Sequence, residues 1–275
     1  MPEISLITAT YGRTKELLKL LNSLVHQTFK DFELIIVDQN EHDEVRKIVN
    51  QFNNLLDINY IHSSRKGLSF NRNLGLAHAR GSIYGFPDDD SYYDNSILNI
   101  VHNCFIAEPI KYICFSIYDS NNEDFCSRFV PPGYFKRKKI FDYCISFNFF
   151  IVANAVRFDE RLGIGGEFGS GEETDYLFEN ISTKDIGKAS LDGKIYHPYS
   201  LSGKRNYEKL FKYSCGFGAI CRKDLKRKYG INTMLLFCKY IIRALIGLIL
   251  KKDKKAYILS LKGRLFGFFK YTEKK

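Results

Sequence analysis

Three consecutive aspartates, Asp88, Asp89 and Asp90, close a short apolar run that ends Gly85-Phe86-Pro87. Carboxylates this close repel one another unless a cation or a hydrogen-bond donor offsets their charge. Hard divalent ions meet that need, because Mg2+ and Mn2+ bind one or two carboxylates and fill their other positions with water and phosphate oxygens. An Asp-x-Asp at the end of a buried strand is therefore a place to hold a metal diphosphate. A plain acidic turn accounts for the same three residues, since Asp favours turns and helix N-caps. Two further acidic sites bear on the choice. Asp38 closes the apolar run Leu34-Ile35-Ile36-Val37, and Glu172, Glu173 and Asp175 follow Gly171. The latter three also suit a helix start, where the macrodipole favours negative charge.

The elements needed to position these groups can be read along the first third. Ile4–Thr8 is a short strand with a turn at 11–13, and Leu17, Leu18, Leu21 and Leu24 recur at helical spacing behind it. A strand over Glu33–Val37, fully apolar at its centre, is expected to be buried and parallel. A helix over Glu44–Phe52, a strand over Ile58–His62, a helix over Ser69–Ala79 and a strand over Ile83–Phe86 complete the series. Alternation of this kind implies right-handed crossovers in an α/β sheet, with the ligand crevice at the carboxyl ends of its strands. Asp38 and Asp88–Asp90 both stand at such ends. The stretch 110–165 reads as strand and loop, with a basic knot at Arg137–Lys139 expected to be a solvated loop. Five glycines in 163–171 mark a mobile or tightly turned loop, able to order over a ligand and exclude water.

Charge divides the chain. The whole carries +10, yet residues 221–275 hold 16 Lys+Arg against 3 Asp+Glu, so the remaining 220 residues are net −3. The basicity belongs to a C-terminal extension, 206–275, following a first domain over 1–205. Thr233–Leu250 is apolar apart from Lys239 and Arg243. Two cations within a stretch of marginal length count against spanning a bilayer. With Lys251 and Lys255 continuing the spacing and Leu236, Ile241, Leu245 and Leu248 facing away, the segment is expected to lie in the interface of an anionic membrane. Phe266, Phe268, Phe269 and Tyr271 add a second apolar contact. Seven scattered cysteines, odd in number and without a C-x-x-C pair, point to reduced thiols in a cytoplasmic setting. Nothing at the N-terminus has the form of a signal peptide. The expected location is the cytoplasmic face of the membrane.

Four segments together resemble the family 2 glycosyltransferases of GT-A fold. Leu6-Ile7-Thr8-Ala9-Thr10-Tyr11-Gly12-Arg13 resembles the family's first strand and nucleotide-contacting turn, with Ala9 and Gly12 replacing the usual Pro and Asn. Ile35-Ile36-Val37-Asp38-Gln39 resembles its second strand end, with Gln39 where a second Asp is frequent. Gly67-Leu68-Ser69-Phe70-Asn71-Arg72-Asn73-Leu74-Gly75 resembles its G-x-S-x-A-R-N-x-G helix, and Phe86–Asp90 its Asp-x-Asp metal motif. Downstream, Phe158-Asp159-Glu160-Arg161-Leu162-Gly163 and Gly171-Glu172-Glu173-Thr174-Asp175 resemble the segments that include the family's catalytic base. The likeness covers roughly 3–200, and it is closer to bacterial enzymes that build capsular and other surface polysaccharides.

That resemblance implies transfer of a sugar, with inversion and in a single displacement, from a nucleotide diphosphate such as a UDP-sugar. The acceptor would be a hydroxyl of a lipid-linked or oligosaccharide molecule. It implies Mn2+ or Mg2+ held by Asp90, with Asp88 on the metal, its bound water or the donor ribose, and Asp89 as a spacer or a donor contact. Thr8, Thr10, Tyr11, Arg13, Asp38 and Arg72 are the other donor-side candidates. The base would be Glu173, with Glu172 and Asp175 as competitors. His197, in Tyr196-His197-Pro198, is open between a metal or diphosphate contact and a structural role, having no spacing partner. Two alternatives remain at this level: a nucleotidyltransferase, and an inactive GT-A-like nucleotide-sugar-binding protein. A nucleic-acid-binding role is not expected, because the basic charge is confined to one apolar helical segment.

Overall fold

The computed structural model describes residues 1–199, 206–227 and 230–272. It contains two compact units that interleave along the chain. One comprises Met1–Lys66, Phe70–Arg157 and Asn180–Ser200, and the other Gly67–Ser69, Phe158–Glu179 and Leu201–Lys275.

The first unit is built on one sheet. Its early elements are β1 (Ile4–Thr10), α1 (Lys15–Val25), β2 (Phe32–Asp38), α2 (Glu44–Asn50), β3 (Ile58–His62), α3 (Leu68–Leu76) and β4 (Ile83–Gly85). Then come β5 (Tyr92–Tyr93), α4 (Ile97–Ala107), β6 (Tyr112–Asp119), β7 (Asn122–Arg128), β8 (Gly133–Phe135), α5 (Ile140–Tyr143) and β9 (Phe149–Val152). The ten-stranded sheet runs β3-β2-β1-β4-β9-β6-β10-β5, β10 being Gly187–His197, with β7 and β8 paired to its flank. Strands β3, β2, β1 and β4 are mutually parallel, and β9 pairs antiparallel to both β4 and β6. The expected alternation therefore holds through β4, and α4 is the helix it did not signal.

Parallel strands covered on both faces are apolar throughout. Every residue of β2 is accordingly buried. Leu6, Leu34, Ile36, Leu17, Leu20, Leu21 and Leu24 form part of a single apolar cluster of strand and helix side chains. Glu33 is a buried charge near the start of β2, and it is fully met: Ser5 Oγ donates at 2.6 Å, the Arg80 amide at 2.7 Å and Arg80 Nε at 2.8 Å. Arg137 corrects an expectation, since it is buried at the start of a short 3-10 turn and not in a solvated loop.

The second unit is helical. It contains α6 (Glu172–Asn180) at its start, then α7 (Tyr207–Asp224), α8 (Gly230–Leu250) and α9 (Lys254–Lys270). Helices α7 and α9 press backbone to backbone. A Cβ at Gly267 would collide with the Cys215 carbonyl oxygen, and one at Gly218 with that of Arg264. Cys221, Phe237 and Phe268 form the buried centre, with the Phe237 and Phe268 rings stacked at 4.6 Å.

The helix expected to continue through Lys255 does not. α8 stops at Leu250, and Asp253 caps α9 by accepting from the Ala256 amide at 3.1 Å. Lys251 and Lys255 therefore do not share a helix with Lys239 and Arg243. Replacing Leu34 with Ala should lower unfolding free energy by about 2–5 kcal/mol, the cost of a cavity in a core that cannot collapse. Urea titration followed by circular dichroism measures it, and a loss below about 1 kcal/mol would show that β2 is not core.

Candidate active site

The carboxyl ends of β1, β2 and β4 converge in the first unit. In register, Thr10 of β1 stands opposite Asp38 of β2. The chain leaves β4 through buried Phe86 and delivers Asp88–Asp90 beside them. Thr10 Oγ1 donates to Asp89 Oδ2 at 2.8 Å, and the Tyr11 amide to the same oxygen at 3.4 Å. Arg13 Nη1 lies 2.8 Å from Asp89 Oδ1 and 2.7 Å from Asp90 Oδ2. Asp89 is thus more than a spacer: it ties the 10–13 turn to the end of β4.

Each flanking aspartate has its own support. Arg72, buried on α3, places Nη2 at 2.7 Å from Asp88 Oδ1. Ser146 Oγ donates to the same carboxylate at 3.2 Å. Arg72, a donor-side candidate from the sequence, is thus paired with the acidic cluster. Asp90 Oδ1 lies 3.3 Å from His197 Nε2 at the end of β10, whose ring stacks on Phe147 at 4.6 Å. Burial works against ionisation of Asp90, but His197 and Arg13 outweigh it and hold its carboxyl below the usual range. At Asp89 burial prevails over Arg13 and Thr10, and the carboxyl is raised.

Asp38 is fully buried and held on both oxygens. Asn40 donates to Oδ1 from its amide at 2.9 Å and from Nδ2 at 2.7 Å, and Tyr60 donates to Oδ2 at 2.7 Å. Burial, then Asp38 itself, pushes the Tyr60 phenol up. Thr8 Oγ1 is buried and makes no hydrogen bond among the described residues. Tyr11 is exposed, with Lys66 Nζ 4.8 Å above its ring.

Two contributors escaped the sequence reading. Asn40 accepts from the Gly12 amide at 2.8 Å while holding Asp38, so one side chain joins two turns. Ser146 comes from a loop far along the chain and is adjacent to no motif. Asn40 could have been found from Asn following a strand-end acid, since Asx side chains organise local turns. For Ser146 the sequence carries no local signal.

In the second unit the two downstream segments meet. Phe158 stacks on Tyr176 at 4.3 Å, and Ser69 Oγ donates to the Leu162 carbonyl at 2.7 Å. Gly163 has φ +84, and a Cβ there would fall 2.8 Å from Ser69 Oγ and 3.1 Å from Glu172 Oε2. Glycine is what lets the loop pass so close to that carboxylate. Glu172 is buried and Glu173 half-buried in the first turn of α6. Asp175 is a correction to the list of candidate bases. Its side chain is 0% exposed, with Lys223 Nζ 2.8 Å from Oδ2 and Arg227 Nη2 2.9 Å from Oδ1. A proton acceptor needs an open lone pair and a path to substrate, and both oxygens here are salt-bridged in the interior.

The cluster around Asp90 fits a divalent cation. One ligand atom each from Asp88, Asp90 and His197 lies within 4.8 Å of the others. Asp90 Oδ1 is buried without a hydrogen bond of good geometry among the described residues. Two carboxylates and an imidazole make a hard donor set suited to Mn2+ or Mg2+.

Acidic side chains gathered at the carboxyl ends of parallel strands mark the ligand-binding edge of an α/β protein. The model of Glycosyl transferase family 2 matches residues 5–160, more than half of the chain, which therefore belongs to that family. The UDP-Glc:alpha-D-GlcNAc-diphosphoundecaprenol beta-1,3-glucosyltransferase WfaP of Escherichia coli is 26% identical over 249 residues, covering 86% of this chain and 96% of that protein. Glycosyltransferase GlyA of Streptococcus pneumoniae is 25% identical over 224 residues, covering 80% of this chain and 32% of that protein. The chain spans about a third or less of the first curated relatives it matches. Among solved structures, Staphylococcus aureus TarS 1-349 superposes with a TM-score of 0.69 at 18% identity, covering 97% of this chain and 81% of that one. The mannosyltransferase PcManGT from Pyrobaculum calidifontis, in complex with GDP-Man and Mn2+, gives 0.64 at 10% identity, covering 98% and 88%. These likenesses establish the GT-A fold.

Replacing Arg72 with Met leaves Asp88 without its buried partner. Breaking such a pair costs about 3–5 kcal/mol when both groups are buried. Asp88 keeps 27% side-chain exposure, so the lower end, about 3 kcal/mol, is expected. Chemical denaturation of the variant measures this, and unchanged stability would contradict the ion pair.

Proposed function

We propose that the chain is an inverting glycosyltransferase that moves a sugar from a UDP-sugar, with Mn2+ or Mg2+, to a hydroxyl of a lipid-linked or oligosaccharide acceptor in bacterial surface polysaccharide synthesis. The observation that carries this reading is the convergence of Asp88, Asp90 and His197 at the carboxyl ends of β4 and β10. Membership of Glycosyl transferase family 2 and the UDP-Glc donor named for the Escherichia coli relative support it.

The roles follow from the chemistry. Cleaving the donor leaves a diphosphate, and an ion bound by Asp90, Asp88 and His197 supplies positive charge to it. Exposed Tyr11 and the turns that Asp38, Asn40 and Thr10 organise bind the nucleoside end. Arg13 and Arg72 fix the aspartates against their own repulsion. The acceptor hydroxyl loses its proton as it attacks, and Glu173 takes that proton, with Glu172 as the alternative carboxylate in the same turn. A single base and no second carboxylate nucleophile correspond to one displacement with inversion.

The C-terminal helices meet an anionic membrane surface. α8 is long and apolar enough to cross a bilayer by length and composition. One of its sides is already occupied: Thr233, Phe237, Ala244 and Gly247 are buried, Gly247 against the Tyr257 ring. A helix docked along its own unit lies on a membrane more readily than through it. Its exposed side corrects the expected one. Ile231, Leu235, Ile242, Leu245, Ile246 and Ile249 are exposed at helical spacing, while Leu236, Ile241 and Leu248 are half-buried. Lys239 and Arg243 border that stripe, and Lys251, Lys252, Lys254 and Lys255 are exposed beyond it, suited to anionic headgroups.

Nucleoside diphosphate release from a panel of sugar nucleotides with Mn2+ tests the reading. Asp90→Asn and Glu173→Gln should each lower the rate by about 10²–10³-fold, the usual loss of one electrostatic or proton-transfer group. Normal turnover by Asp90→Asn in the presence of chelator would remove the metal from the scheme. For the membrane, the full chain should float with phosphatidylglycerol vesicles. The double variant Ile242→Glu, Ile249→Glu should partition on the order of 10²-fold less, since burying each isoleucine contributes about 1.5–3 kcal/mol. Equal flotation of both proteins would exclude this face as the contact.

A further inference from the structure

Asp175 belongs to a buried ionic network that the reaction scheme does not use. Lys223 Nζ of α7 reaches Asp175 Oδ2 at 2.8 Å, Asp159 Oδ2 at 3.4 Å and Glu179 Oε1 at 3.4 Å. Arg227, just beyond α7, pairs with Asp175 Oδ1 at 2.9 Å, with Asp224 Oδ1 at 3.2 Å and with Glu179. Asp159 also accepts from Arg161 Nη2 at 2.8 Å and from the Tyr271 hydroxyl at 2.7 Å. Burial opposes the charge on Lys223, yet Asp175 and Asp159 outweigh it and raise its pKa.

The chemistry of these contacts is selective. Asp175 sits two residues beyond Glu173 on the same short helix, and its amide donates to Gly171 O at 3.0 Å, closing the first turn. That turn carries Glu172 and Glu173. A helix of nine residues has little intrinsic stability, so its orientation is set by what its buried end is fastened to. Here the fastening is to two cations at the end of α7, which is itself packed backbone to backbone on α9.

We propose that Asp175, Lys223 and Arg227 are positioning residues: they fasten the first turn of α6 to α7 and so set where Glu172 and Glu173 stand. The inference rests on the reading of those glutamates as the candidate base. It gives the C-terminal helices a part in the reaction through the base, separate from any contact with lipid.

Lys223→Met removes the central cation and is the deciding variant. Hydrogen exchange should show the amides of Asp175–Phe178 exchanging at least about tenfold faster, with β1 and β2 unchanged; unaltered exchange in α6 overturns the proposal. In a transfer assay, kcat should fall about 10–10²-fold, as a misplacement near 1 Å would cost, while KM for the sugar nucleotide stays within about twofold. Lys223→Arg should restore most of the rate. Asp175→Asn should lose a similar amount, and the double variant no more than the worse single one. Additive losses, or an inactive Asp175→Asn beside a fully active Lys223→Met, overturn the proposal, the latter because it makes Asp175 the base. Should Lys223→Met fail to fold, Arg227→Lys is read by the same exchange measurement. A wild-type chain that turns over no sugar nucleotide defeats the functional reading alone, since hydrogen exchange still decides the anchoring.

Discussion

Mutual repulsion among Asp88, Asp89 and Asp90 is the constraint on which the first unit's crevice is arranged. Three carboxylates on successive residues, two of them largely buried, cannot share a strand end without neutralisation. Arg72 answers Asp88 from α3, and Arg13 answers Asp89 and Asp90 from the turn after β1. Two cations against three acids leave a residual negative charge at the cluster, with His197 set against Asp90. Such a balance keeps the apo protein intact and still leaves attraction for a divalent ion. It also explains why the elements before and after the triplet must be so well fixed: α3, the turn after β1 and the end of β10 each hold part of it.

Much of this was legible because it is local. The strand ends at Asp38 and at Asp88–Asp90 announce themselves as apolar runs closed by acids, and parallel pairing carries Thr10, Asp38 and Asp89 to one edge. The glycine-rich loop at 163–171 was legible as tight geometry, and at Gly163 the close approach to Glu172 shows the reason. The helix of Arg72 was legible from its motif, and the structure shows its pairing with Asp88.

What escaped the sequence depends on contacts between distant segments. Ser146 reaches Asp88 from 58 positions away, and nothing near Ser146 marks it. Asp175 reads as one more acid in a helix start. Only the fold shows that Lys223 and Arg227, 48 and 52 positions later, close on its two oxygens. The end of α8 at Leu250 escaped because cation spacing across a helix break looks the same as spacing along a continuous helix. The exposed stripe of α8 escaped for a related reason. A helix apolar all round offers no sequence cue to which side its own unit will cover.

The division of the chain into units carries a physical consequence for catalysis by such a fold. The residues proposed for the donor side, Thr10, Arg13, Asp38, Arg72 and Asp88–Asp90, all belong to the sheet unit, whereas Glu172, Glu173 and Asp175 belong with α7, α8 and α9. A base must be placed to within a fraction of an ångström relative to its substrate. In the proposed scheme the ionic network beneath α6 would confer that precision within the helical unit, since a buried charge pair tolerates little displacement before its desolvation cost is uncompensated. Rigid placement from beneath and an exposed apolar stripe on α8 of the same unit are compatible demands. The first uses the charged interior of the helices, and the second their apolar outer side.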